Sequence, residues 1–246
     1  MDILYVLKRE ILNDDLRWSL RSVEKYLTGY DRIFVAGFKP RYVQGVTHVP
    51  VIQVGTKYQN VLGNIRTAVE KTDISEDFVL MNDDFIALRP IDLNKDKLNY
   101  IGGDLDAKCD EVAKQRRSPW RSGFPVARDL LRKICKHKKL YNFAVHTPYI
   151  LNRKNLLEML DIPEVKAVLD TNRTFLLRVV YGNLYRHSRV KQIKDVKLHT
   201  TDDLTDALLE GDWLSTADRM LGKGEYPRLY KFLRKEFGKS CRFECN

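Results

Sequence analysis

Short apolar runs alternate with helical repeats of apolar residues along the first part of the chain. Ile3 to Leu7 is an apolar run bounded by charge, which predicts a buried strand. Asn13, Asp14 and Asp15 offer a helix N-cap, and Leu16, Leu20, Val23 and Leu27 then recur at helical spacing. That spacing predicts an amphipathic helix ending near Gly29. Arg32 to Ala36 predicts a second strand and Val49 to Val54 a third. Tyr58, Val61, Leu62, Ile65, Ala68 and Val69 mark a second helix. Phe78 to Met81 reads as a further strand, stopped by Asn82-Asp83-Asp84. Strands alternating with helices predict an α/β domain with a mainly parallel sheet.

The second part is less regular. Gly102-Gly103 reads as a turn, 126–137 as a basic helix, 142–151 as extended and 156–160 as helical. Phe175 to Tyr185 predicts a moderately apolar helix. Tyr226 to Phe237 predicts a stronger one, with Leu229, Phe232, Leu233 and Phe237 on one face. No internal repeat, low-complexity segment or long linker divides the chain, so residues 1–246 read as a single domain.

Composition removes several classes. With 246 residues, 43% of them hydrophobic, the chain supports a sizeable core, and disorder is excluded as its main state. No uninterrupted apolar stretch of about 18 residues is present, so no membrane span is expected. The N-terminus has no basic lead and no cleavage site, so it is not read as a signal peptide. Cys109, Cys135, Cys241 and Cys245 are too scattered for a disulfide scaffold, and a reducing cytoplasm, bacterial or phage-infected, is expected. Cys241 and Cys245 read as free thiols rather than a zinc site, because no second pair lies nearby. Lys plus Arg is 43 against 33 Asp plus Glu, a net charge of +10, which favours a polyanionic partner.

Asn82-Asp83-Asp84 is the most informative triplet. In open α/β sheets, ligands sit beyond the carboxyl ends of the strands. Carboxylates there suit a hard divalent cation, Mg or Mn, and the cation neutralises a substrate's phosphates. The plainer reading is that Asp83 and Asp84 cap the turn after the strand.

The segment Asp14-Asp15-Leu16-Arg17-Trp18-Ser19-Leu20-Arg21-Ser22-Val23-Glu24 resembles the Stealth-type sugar-phosphate transferase family. The family's block opens with an acidic pair followed by Leu-Arg-Tyr-Ser-Leu-Arg-Ser-Ile-Glu. It closes with a phrase similar to Ser75-Glu76-Asp77-Phe78-Val79-Leu80-Met81-Asn82-Asp83-Asp84-Phe85. His146-Thr147-Pro148 is similar to a later His-x-Pro phrase, and Arg173 to an arginine beyond it. Lys239-Ser240-Cys241-Arg242-Phe243-Glu244 is similar to its last block. In place of the usual Thr-Trp-Val-Asp phrase after the opening strand, this chain has Tyr5-Val6-Leu7-Lys8-Arg9. The resemblance implies a fold of the GT-A glycosyltransferase type, a Rossmann-like sheet flanked by helices with a helical C-terminal part. It implies a nucleotide-sugar donor, with 1–91 as the nucleotide-binding half and 92–246 as the acceptor-side half.

Site residues follow from both readings. Asn82 and Asp83 are expected at the donor, Asp83 and Asp84 at the cation, and Asp84, His146 and Arg173 in the chemistry. His146 is either a base or phosphate contact, or a hydrogen-bonded histidine at a strand end. Arg17 and Arg21 share a helix face and either clamp the donor's phosphates or belong to a solvated, ion-paired face. Between 114 and 139, basic residues dominate, and Trp120 and Phe124 are interleaved with them. Arg116, Arg117, Trp120, Arg121, Arg128 and Arg132 are the expected nucleic-acid contacts, by phosphate pairing and base stacking. The alternative is a solubilising loop and helix. Together these predict a metal-dependent glycosyltransferase acting on a polyanion, with hydroxymethylated pyrimidine in DNA as first candidate. The alternatives are hexose-1-phosphate transfer to a capsule-like glycan and a non-catalytic basic nucleic-acid-binding protein.

Overall fold

The computed structural model of the chain describes residues 1–10, 13–171, 173–199, 204–205, 209–217 and 227–245. The first half runs β1 (Asp2–Leu7), α1 (Asp14–Tyr26), β2 (Leu27–Thr28), β3 (Ile33–Gly37), β4 (Thr47–Val49), α2 (Lys57–Lys71), β5 (Asp77–Met81), β6 (Phe85–Ala87) and β7 (Ile91–Asp92). Next come β8 (Tyr100–Ile101), α3 (Leu105–Ala113), α4 (Pro119–Ile134), β9 (Tyr149–Asn152), α5 (Arg153–Asp161), α6 (Pro163–Leu169) and α7 (Leu177–Tyr185). Then follow β10 (Lys191–Gln192), β11 (Lys197–Leu198), β12 (Trp213–Thr216) and α8 (Pro227–Phe237). Tyr226, the expected first residue of the last helix, lies outside the described residues.

The main sheet has the order β4-β3-β1-β5-β9, parallel except for β9, which runs antiparallel to β5. The uninterrupted apolar run of β1 is explained by its place at the centre, where both faces are covered. Ile3, Tyr5 and Leu7 face Leu16, Leu20 and Val23 of α1. Leu4 and Val6 face the opposite core, with Ile65, Ala68 and Val69 of α2 and Phe124 of α4. A second sheet, β11-β12-β6, carries Ile86, Leu198 and Leu214, and α8 packs on it through Leu229, Leu233 and Phe237.

Local chemistry fixes the helix starts. Asn13 Oδ1 accepts from the Leu16 N–H at 2.9 Å, as the N-cap reading anticipates. Thr56 and Gln59 form a capping box on α2, and Ser118 caps α4 with Pro119 in its first turn.

Three boundaries differ most from expectation. The strand expected over 49–54 ends at Val49. Beyond it, Gln53 turns inward to donate to Leu7 O at 2.6 Å, while Ile52 and Val54 stay exposed. The basic helix expected over 126–137 starts earlier, at Pro119, because the Ser118 cap and the first-turn proline set its origin. Only the last three residues of the extended segment 142–151 pair as a strand, which runs on to Asn152.

Candidate active site

A cleft of about 420 Å³ opens beyond the carboxyl ends of β1 and β5, walled by α2, by 144–146, by the start of α7 and by β11. Its polar lining includes Lys8, Lys57, Asn82, Asp83, Asp84, His146, Arg178 and Lys197, with Trp120 as an aromatic wall. The triplet Asn82-Asp83-Asp84 is there because β5 stops one residue earlier.

Each member of the triplet meets a different partner. Asn82 Oδ1 accepts from Arg178 Nη2 at 3.3 Å. Asp83 Oδ2 accepts from Asn13 Nδ2 at 2.7 Å, so the residue that caps α1 also holds this carboxylate. Asp84 Oδ2 accepts from Lys197 Nζ and from Ser215 Oγ, both at 2.6 Å. Lys197 Nζ donates in addition to Thr216 O. Asp15 Oδ1 accepts from Thr216 Oγ1 at 2.8 Å and adds a third carboxylate beside the pair.

Crowded carboxylates in a dry place hold protons tightly. Burial, then the Asp84 charge, pushes the Asp83 carboxyl up from 3.8 to about 6. Burial, reinforced by the Asp83 and Asp84 charges against the Thr216 hydrogen bond, pushes Asp15 up to about 7. In the unfolded chain Asp15 releases its proton near 3.8, so the folded protein binds more protons between the two values. Stability therefore falls as pH rises through that window. The Asp15→Asn variant should melt above wild type at pH 8, by about 1–2 kcal/mol after allowing for part exposure to solvent. The gain should vanish towards pH 4. Thermal melts across that range check this, and a gain that is independent of pH contradicts it.

Arg178 and His146 form the facing wall. Arg178 Nη1 donates to Val145 O at 3.0 Å and Thr147 O at 2.8 Å, so one guanidinium grips both peptides that flank His146. Burial lowers its pKa to about 10, opposed by the Asp84 charge. His146 Nδ1 lies 2.8 Å from both oxygens of Asp195. That contact leaves Nε2 as the ring nitrogen available to a ligand. Burial pushes the Asp195 carboxyl up, but the hydrogen bonds from His146 outweigh it and hold it below its ordinary range. The Trp120 ring is centred 6.0 Å from the His146 ring.

Other expected site residues fall elsewhere. Arg17 Nη1 and Arg21 Nε lie 3.2 and 2.9 Å from the Glu244 carboxylate, on a separate face of α1. Arg21 also donates to Phe237 O at 3.0 Å. These two guanidinia are committed to a buried acid and do not line the cleft, so the donor clamp assigned to them is corrected. The partner, Glu244, is far away in sequence, and helix-face spacing says nothing of it. Arg173 is exposed in the loop before α7 and does not line the cleft; Arg178, five residues on, does.

The basic segment divides in two. Arg116 and Arg117 are exposed between α3 and α4, and Arg121 Nη1 donates to Arg116 O at 2.7 Å. Arg132 pairs with Asp106 of α3 at 2.7 Å and Arg128 with Asp129 at 3.1 Å, so both are part-neutralised. Trp120 packs edge-on against Phe124 and belongs to the cleft.

Arg178, Lys197, Asp195 and Ser215 were not anticipated. A single arginine in the otherwise apolar run Phe175 to Tyr181 is a signal for the first. The others sit in short, unpatterned stretches.

A divalent cation takes about six oxygen ligands, which one or two carboxylates can share with waters and substrate phosphates. Here Asp84 Oδ2 already receives an ammonium and a hydroxyl, Asp83 Oδ2 an amide, and Asn82 Oδ1 a guanidinium. Among the described residues no group of three or more His, Cys, Asp and Glu side chains is arranged to hold a metal ion, the Cys241 and Cys245 pair included. At Asp83 and Asp84, where the sequence reading expects a resident divalent cation, the residues present are a poor fit for one. The physical reason is Lys197, a fixed positive charge on the same carboxylate.

No protein-family model matches the chain. No curated protein matches it either. Among solved structures, it is similar to the galactosyltransferase LgtC in complex with donor and acceptor sugar analogs, with a TM-score of 0.53 and 13% identity over 98% of both chains. It is also similar to an active-site mutant of LgtC, with a TM-score of 0.50 and 13% identity over 98% of both chains. The chain therefore has the GT-A glycosyltransferase fold, as the family resemblance implies and in keeping with the α/β pattern of the sequence. No helix among the described residues is long and apolar enough to cross a membrane.

Proposed function

We propose that the protein is a glycosyltransferase that moves a sugar from a nucleotide-sugar to a hydroxyl on a large polyanionic acceptor. The observation that carries this reading is the cleft at the carboxyl ends of β1 and β5. It sets four cationic side chains, Lys8, Lys57, Arg178 and Lys197, around one space. A departing nucleoside diphosphate is an anion, and fixed positive groups stabilise it most where water is excluded. The GT-A fold supports the donor class.

In the reaction, the acceptor oxygen bonds to the anomeric carbon as the bond from that carbon to the diphosphate oxygen breaks. The electron pair leaves on the diphosphate. The acceptor's proton passes to His146 Nε2, with Asp195 holding Nδ1. Trp120 offers a flat apolar face for a sugar or base.

For the acceptor we favour a hydroxymethylated pyrimidine in DNA. The exposed Arg116 and Arg117 immediately precede the helix that puts Trp120 in the cleft, so a polyanion bound by them passes its mouth. A base in duplex would have to be turned out to reach it.

The test is mass spectrometry of products from a panel of nucleotide-sugars offered with hydroxymethylated DNA and with an acidic oligosaccharide. A hexose or pentose added to the DNA is the expected result. A hexose phosphate added to the oligosaccharide identifies the sugar-phosphate reaction instead, and no product from any pair contradicts catalysis. The His146→Ala variant should lose about 10²–10⁴-fold in kcat with donor affinity retained, as for a proton acceptor. Wild-type kcat in that variant would remove the base role.

A further inference from the structure

Resting on the glycosyl-transfer reading, we propose that Lys197 does the work of a divalent cation in this site and that the donor is bound and cleaved without a metal ion. Three strands build the arrangement. Asp84 immediately precedes β6, Phe85 of β6 pairs with Ser215 of β12, and Ser215 pairs with Lys197 of β11. Register thus brings the Asp84 carboxylate, the Ser215 hydroxyl and the Lys197 ammonium side by side. The contact is short, 2.6 Å between Nζ and Oδ2, as charge-assisted bonds are. Both side chains are largely enclosed, at 14% and 13% exposure, so Lys197 is not a surface lysine that happens to reach inward.

The ammonium is held from two sides, by Asp84 and by the carbonyl of Thr216. An ammonium has three donors, and the third remains for the cleft that Lys197 lines. A metal bound through the same carboxylate would lie beside this fixed positive charge. Arg178 donates to Asn82, so two of the triplet's three members meet cations supplied by the chain itself. In the transfer step the electron pair of the broken bond ends on the diphosphate oxygen, and Lys197 donates to that diphosphate as its charge grows. The site is preorganised, because Lys197 is already in place before the donor arrives.

The experiment uses the full chain stripped with EDTA and a panel of UDP, GDP, CDP, ADP and dTDP. Calorimetry measures nucleoside-diphosphate binding in EDTA and in Mn²⁺, and electron paramagnetic resonance measures Mn²⁺ bound to the protein. At least one nucleoside diphosphate should bind wild type with the same affinity, within about twofold, in both conditions. The protein alone should bind no Mn²⁺. In EDTA, Lys197→Ala should weaken that binding by about tenfold or more. It should also gain a Mn²⁺ signal that Asp84→Asn in the same background abolishes. Lys197→Met keeps the apolar stem and should behave alike if the alanine variant folds poorly. The proposal is overturned if EDTA weakens binding to wild type by about tenfold and Mn²⁺ restores it. It is also overturned if folded Lys197→Ala or Lys197→Met binds like wild type in EDTA. If no nucleoside diphosphate binds in either condition, the glycosyl-transfer reading itself fails and takes this proposal with it.

Discussion

The Asp84→Ala variant should lose at least about a hundredfold in turnover and melt roughly 10 °C below wild type. The carboxylate accepts from Lys197 and Ser215, and all three side chains are largely enclosed. Removing it leaves an ammonium with only the Thr216 carbonyl and a serine hydroxyl with no acceptor. Breaking a buried pair from one side costs about 3–5 kcal/mol, because the remaining charge stays desolvated. In a chain of this size each kcal/mol shifts melting by about 2–4 °C. Replacing both partners, as in Asp84→Ala with Lys197→Met, should recover much of that stability and none of the turnover. A double-mutant cycle on thermal melts gives the coupling. A single variant within a degree of wild type would contradict the pairing. Undiminished turnover would remove Asp84 from the chemistry.

Arg178→Ala should cost about 3 kcal/mol or more. Its guanidinium serves three acceptors, Val145 O, Thr147 O and Asn82 Oδ1. Each enclosed oxygen left without a donor costs about 1–3 kcal/mol. The two peptide oxygens flank His146, so the segment that presents the histidine is released along with them. Turnover should fall as steeply as stability, and amide hydrogens at 144–148 should exchange faster than in wild type. Arg178→Lys keeps a charge but not the planar fork, and should recover only part of either quantity. Unchanged exchange at 144–148 would show that the segment is held by something else.

Much of the fold was legible because periodicity and burial agree. β1, α1, β3, α2 and β5 all follow runs whose apolar spacing is satisfied by a sheet covered on both faces. The run after Val49 misleads because Ile52 and Val54 look like strand residues yet stay exposed, while Gln53 turns inward to Leu7 O. Spacing carries no information about which side chain a loop turns inward. The triplet at 82–84 was legible because it follows the strand directly. Its partners were not, since Asp84 meets Lys197 across 113 residues and Asn82 meets Arg178 across 96. Arg17 and Arg21 show the same limit. Their shared helix face was readable, but what faces it was not. Trp120 stands among basic residues in the sequence, yet its ring packs with Phe124 and lines the cleft.

The ion pair between Arg21 and Glu244 spans 223 residues. Glu244 also pairs through its backbone with Val43, and the Gln44 side chain donates to its carbonyl. At a synthesis rate of about 5–20 residues per second, α1 waits roughly 10–45 s on the ribosome for this carboxylate. Contacts so distant in sequence make closure slow even in the released chain. During that interval Arg17 and Arg21 are without the Glu244 carboxylate, and the nascent protein presents on α1 two cations that the finished one withdraws.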